Sequence, residues 1–171
     1  MTTKANGFTL IELIVVIVLI SILSAVGIGL FSSPSQYTPS LASEAWINQL
    51  RYSQRQAFLK TQLTQPLLLT ISRTSEVWRF TLSQAGQFID EFDVEHNGLS
   101  INYSNASFSN ECALLSVMSF PATFRFDGYG DLVDASNNKL SSNHRFCVPS
   151  TQSKNWCLSP SGYAYGGECV P

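Results

Sequence analysis

The sequence predicts an α+β protein in which a long apolar N-terminal helix is followed by an amphipathic helix packed on an antiparallel β-sheet. Three observations carry this. An apolar run from Phe8 to Phe31 contains one charged residue, Glu12. From about Leu41 to Leu63 apolar residues recur at helical spacing. Beyond that the period shifts toward two, in short β-branched and aromatic runs separated by turn residues.

The first element follows from its length. At about 1.5 Å rise per residue, the run from Phe8 would extend roughly 35 Å as a helix, enough to cross a bilayer. Ile and Val dominate its first half, but in lipid the backbone must satisfy its own hydrogen bonds, which leaves helix as the only option. Lys4 is the only charge before Glu12, and the next is Glu44. The positive-inside bias then puts the N-terminus in the cytoplasm and the bulk of the chain outside it. A secretory signal with a cleavage site near Leu23-Ser24-Ala25 would have a shorter apolar core and no acid. A plain signal anchor explains the length but gives Gly7 and Glu12 no role. A charge at mid-bilayer costs about 2.5 to 3.5 kcal/mol even on insertion scales, so Glu12 reads as functional.

The string Gly7-Phe8-Thr9-Leu10-Ile11-Glu12-Leu13, after a short leader containing Lys4, resembles the class III signal of type IV pilins and type II secretion pseudopilins. The resemblance implies a leader at 1–7 and a retained helix at 8–31. It implies cleavage between Gly7 and Phe8 by a membrane aspartyl prepilin peptidase, then N-methylation of Phe8. It also implies partners: other pilin or pseudopilin subunits and an inner-membrane assembly platform. The physics supplies a role for Glu12. A carboxylate in hydrocarbon either neutralises or finds a cation, and the new α-amino group on a neighbouring subunit's Phe8 is a suitable one. Such a pair would set register and favour assembly.

Pro34 and Pro39, among serines, predict a kinked linker over 32–40, because proline removes a backbone donor and clashes with the preceding turn. The second helix then begins near Leu41. Trp46, Ile47, Leu50, Ala57 and Phe58 share one face, with Glu44, Asn48, Arg51 and Arg55 on the flank. Extended runs follow at 66–71, 77–82, 99–103, 123–126, 145–148, 156–158 and 162–165, giving six or seven antiparallel strands. The 41–171 segment is thus one α+β domain on the periplasmic side, since about 140 residues after the apolar run suffice for a single core. Its order of Leu50-Arg51-Tyr52-Ser53-Gln54-Arg55-Gln56-Ala57, Phe126-Asp127-x-x-Gly130 and Ser159-Pro160-Ser161-Gly162 is similar to H-type minor pilins, most of all those of the mannose-sensitive haemagglutinin (MSHA) system. That resemblance implies a minor subunit of a pilus or secretion pseudopilus, with cell adhesion among its uses.

Cys112, Cys147, Cys157 and Cys169 all lie in the part assigned to an oxidising compartment, which predicts two disulfides. A hairpin around Pro149 to Asn155 would put Cys147 opposite Cys157, leaving Cys112 for Cys169. The alternative joins Cys157 to Cys169 and closes a C-terminal loop like that of many pilins.

Composition narrows the function. The net charge is −2 and becomes one unit more negative without Lys4. Arg51, Arg55 and Lys60 are the only basic concentration and read as a solvated helix face, which argues against nucleic acid. His96 reads as part of an exposed acidic turn and His144 as a loop residue before a strand. Neither sits in a catalytic motif, so the sequence predicts no enzyme and no cofactor. Asp90, Glu91, Asp93, Glu95, Asp127 and Asp131 could hold Ca²⁺, but they lack EF-hand spacing and read as a solvated acidic loop. Asn102-Tyr103-Ser104 and Asn105-Ala106-Ser107 match the glycosylation sequon. Trp156, Tyr163 and Tyr165 read as core or cross-strand partners, with an adhesive patch as the other possibility. A membrane-anchored periplasmic domain that binds DNA, sugar or a partner protein is the competing function.

Overall fold

The computed structural model describes residues 10–30, 34–59, 65–105, 111–150 and 153–170. The chain divides at Ser35/Gln36 into two units. The first holds helix α1, Leu10–Leu30, 21 residues with Glu12 in its first turn. Its described side chains, Leu10 to Ile22, are exposed on every face, from Leu10 at 76% to Val16 at 44%. An exposed apolar surface of this extent on a helix is the kind that lipid or another protein segment covers.

Helix α2 runs Pro34–Leu59 with Pro39 inside it. Of the kinked linker expected over 32–40, residues 34–40 are helical, while 32 and 33 lie outside the described residues. Pro39 forfeits one bond to the carbonyl four residues back, a loss the rest of a 26-residue helix absorbs. The predicted end at Leu63 falls outside the described residues.

Nine strands are described: β1 Leu67–Arg73, β2 Val77–Gln84, β3 Gln87–Glu95, β4 Asn102–Ser104, β5 Ser116–Val117, β6 Ala122–Phe126, β7 His144–Val148, β8 Lys154–Leu158 and β9 Ala164–Gly166. They form two antiparallel sheets, ordered β3-β2-β1-β6 and β5-β4-β7-β8-β9. Strand β3 was expected to be an acidic loop. It is a strand because Ala85 and Gly86, at φ 50° and 76°, close a two-residue hairpin that pairs Gln84 with Gln87. As an edge strand it keeps Glu91, Asp93 and Glu95 in solvent, which also discourages pairing with another chain.

The core forms where both sheets meet α2. Alternation sends Leu67, Leu69 and Ile71 inward from β1, and Trp78, Phe80 and Leu82 inward from β2. From the second sheet come Phe146, Trp156 and Leu158. Trp46 of α2 sits among them, with ring centroids 5.5 Å from Trp78, 5.0 Å from Phe80, 5.9 Å from Phe146 and 5.7 Å from Trp156. Ile47, Leu50 and Ala57 are buried as the helical spacing predicts, but Phe58 is 48% exposed. Its ring lies over Gly130 instead of entering the core.

Candidate assembly segment and surface sites

Of the residues expected to carry assembly, Glu12 is described and Gly7 and Phe8 lie outside the described residues. Glu12 is exposed in the first turn of α1, among Leu10, Ile11 and Leu13. Among the described residues no helix is long and apolar enough to cross a membrane. The described side chains of α1 end at Ile22, while its backbone helix continues to Leu30.

The two glycine-bearing motifs meet beneath the second half of α2. Asp127 Oδ1 accepts N–H bonds from Tyr129 and Asp131, which folds the Phe126–Gly130 turn back on itself. The Pro160 carbonyl accepts the N–H of Leu132 at 2.7 Å and ties that turn to Ser159–Gly162. Gly162, at φ +74°, packs so closely that an added Cβ would sit 2.0 Å from the Gly130 carbonyl oxygen. From α2, Gln54 Nε2 donates to the Ser161 carbonyl at 2.6 Å and Arg51 Nε to that of Ala164 at 2.7 Å. The Arg51 guanidinium also lies 5.0 Å over the Tyr163 ring. The solvated reading of Arg51 is thus corrected: long-range contacts from the C-terminal strand recruit it. Arg55 is exposed as expected, and Lys60 lies outside the described residues.

The acidic residues disperse. Asp93 takes a bidentate pair from Arg79, both contacts at 2.9 Å, and the guanidinium holds its carboxyl below the usual range. Asp90 accepts the Tyr52 hydroxyl at 2.8 Å, and that hydrogen bond raises the phenol's pKa. Asp131 pairs with Lys139. Among the described residues no three His, Cys, Asp or Glu side chains gather as a metal site.

Both histidines depart from expectation. His96 is 4% exposed and packs 5.5 Å from Trp78. The Gly98 N–H donates to its Nδ1 at 3.0 Å, so the ring proton is on Nε2, which donates to the Thr74 carbonyl at 3.2 Å. His144 opens β7 and is 8% exposed. Its Nδ1 bonds the Tyr103 hydroxyl at 2.6 Å, and burial lowers its pKa to about 4, so the ring is neutral. Tyr103 and His144 line a cavity of about 410 Å³ beside β6, with Phe124, Arg125 and Leu140. Asn102, in the first sequon, is 5% exposed with its amide donating to the Cys112 carbonyl, which closes it to a glycan. Trp156 is buried, whereas Tyr163 is 49% exposed and stacks on Tyr165 at 6.2 Å.

The disulfides are Cys112–Cys147 and Cys157–Cys169. The preferred expectation, Cys147–Cys157 with Cys112–Cys169, is overturned, and the alternative Cys157–Cys169 pairing is the one adopted. The register gives the reason. Cys147 stands opposite Asn155 and Cys157 opposite Arg145, so the two cysteines are diagonal neighbours across β7 and β8. Diagonal residues have Cα atoms about 7 to 8 Å apart, beyond what a disulfide spans. Sequence reasoning passes over Arg145 and Asn155, which share this cysteine-bearing face. The alternation of Arg145 and Cys147 with Phe146 is the signal that marks them.

Residues 2–28 match the family model of the prokaryotic N-terminal methylation motif. No curated protein and no solved structure matches the chain. The chain therefore carries a type IV pilin-like signal at its N-terminus.

Proposed function

We propose that the chain is a pilin-type structural subunit, anchored in the inner membrane by residues 8–31 and then assembled through that helix into a filament. The observation that carries this reading is the methylation motif over residues 2–28, joined to a helix whose described apolar side chains are exposed on all faces. In lipid or in a bundle of like helices that surface is covered; in water it is not. In this reading prepilin peptidase cuts between Gly7 and Phe8, and Phe8 is N-methylated. Glu12 pairs with the α-amine of a neighbouring subunit's Phe8, so a charge that is costly in the bilayer is compensated in the filament. The globular domain, residues 41–171, faces the periplasm and performs no catalysis.

The finer reading is an H-type minor pilin of the MSHA kind. It is supported by the meeting of the Phe126–Gly130 and Ser159–Gly162 turns under α2. The assembly test is Glu12→Ala. The variant is expected to mature and insert normally yet to be missing from the sheared filament fraction, where a tagged wild-type chain is found with other pilins. Normal incorporation of the variant would sink the role given to Glu12. Recovery of the wild-type chain only in membranes would favour an anchored binding domain that never polymerises, the reading to which the cavities of the folded domain speak.

A further inference from the structure

We propose that the face of the β5-β4-β7-β8-β9 sheet turned away from α2 binds a sugar acid, with Arg145 taking the carboxylate. Arg145, Cys147, Asn155 and Cys157 share that face, because Arg145 is registered with Cys157 and Cys147 with Asn155. Phe146 and Trp156, the alternate residues, point into the core. The two disulfides fasten covering segments over the face, Cys112 to Cys147 on one side and Cys169 to Cys157 on the other. Beside these staples is a cavity of about 370 Å³, lined by Arg145, Asn155, Ser150, Ser153, Glu111 and Glu168 among others.

Arg145 is 8% exposed, yet its Nε has no acceptor, and no carboxylate among the described residues forms an ion pair with it. A guanidinium stays charged at any physiological pH and offers five donors in a fixed fork, so burying it without a partner is costly. On the next strand Asn155 Oδ1 is buried without a donor. A charged donor and a neutral acceptor, both unsatisfied, thus line one cavity. The complementary ligand carries an anionic acceptor beside a hydrogen-bond donor.

Charge and chemistry narrow the class. Glu111 and Glu168 on the lining repel any anion and a doubly charged one more, so a single carboxylate is penalised less than a phosphate. Among the described residues the other polar lining, Asn155 Oδ1, two serine hydroxyls and two carboxylates, is rich in acceptors. A hydroxylated ring supplies several O–H donors to such a set; a peptide terminus supplies one N–H. The site takes no part in the proposed filament contacts of α1, so it stands or falls separately.

The test is calorimetric titration of the full chain in detergent micelles with D-galacturonate, D-galactose and N-acetylglycine. Galacturonate is expected to bind, with galactose and N-acetylglycine each about tenfold weaker or worse. Arg145→Gln is expected to weaken galacturonate about tenfold. Asn155→Ala, at a half-buried position outside the core, is expected to weaken it severalfold and decides the matter if Arg145→Gln does not fold. The proposal is overturned by no binding of galacturonate up to about 10 mM or by equal binding of galactose. Equal binding of N-acetylglycine, which would mean a peptide carboxylate, or unchanged affinity in a folded Arg145→Gln would overturn it as well.

Discussion

His144 shows how one residue's setting turns into a measurable property. Its ring is held between Tyr103, stacked at 5.7 Å, and Phe124, edge-on at 5.5 Å. That apolar sandwich disfavours the imidazolium and lowers the pKa from 6.5 to about 4. Between those values the unfolded chain binds a proton that the folded chain refuses. The resulting contribution is therefore fully present above about pH 6.5 and is lost as pH falls toward 4. The loss is at most on the order of 3 kcal/mol. Urea midpoints measured from pH 7 to 4.5 should fall, and His144→Phe should flatten the slope. A slope unchanged by that substitution would assign the acid sensitivity elsewhere. The histidine itself is plain in the sequence, but its burial is not, because that depends on Tyr103 arriving from 41 residues away.

Among elements, the turns and staples govern how the domain holds its shape. Gly162→Ala would force a side chain into a left-handed backbone and against the Gly130 carbonyl, at a cost of about 2 to 5 kcal/mol. Gly86→Ala meets nothing within 4 Å and should cost only the backbone strain, about 1 kcal/mol. Thermal unfolding of the two variants checks the contrast, and equal losses would mean that the Gly162 contact is slack. The disulfides differ through loop length. Removing Cys112–Cys147, separation 35, should cost about 1 kcal/mol more than removing Cys157–Cys169, separation 12. Denaturant midpoints of the paired Cys→Ser variants measure that difference, and a peptide map under non-reducing conditions checks the connectivity itself. The hairpin argument for Cys147–Cys157 correctly placed the two cysteines on adjacent strands. It failed on a two-residue offset in register, which spacing alone does not reveal.

At the scale of the whole chain, the division at Ser35/Gln36 separates two solutions to the hydrophobic problem. The domain buries its aromatics around Trp46 with its own sheets, whereas α1 leaves Leu10 to Ile22 exposed, a surface that in the proposed function lipid or other helices cover. In the proposed pathway the mature chain begins at an N-methylated Phe8, which mass spectrometry of the N-terminal peptide tests. A start near Val26 would point instead to an ordinary secreted protein.

The sequence by itself determined the N-terminal methylation motif, a helix in the apolar run, the inward face of α2 and most of the strands. Each of these is a local pattern: a charge in an apolar run, a period of 3.6, a period of two. Only the tertiary structure decided that the strands split into two sheets around Trp46, that the acidic β3 is an edge strand, and that Arg51 reaches the C-terminal strand. It also decided the disulfide partners and placed Arg145 beside Asn155 in a common cavity. Those outcomes depend on register and on contacts between residues far apart in the chain. A one-residue slip in pairing sends a side chain to the opposite face, and no local pattern fixes that slip in short strands.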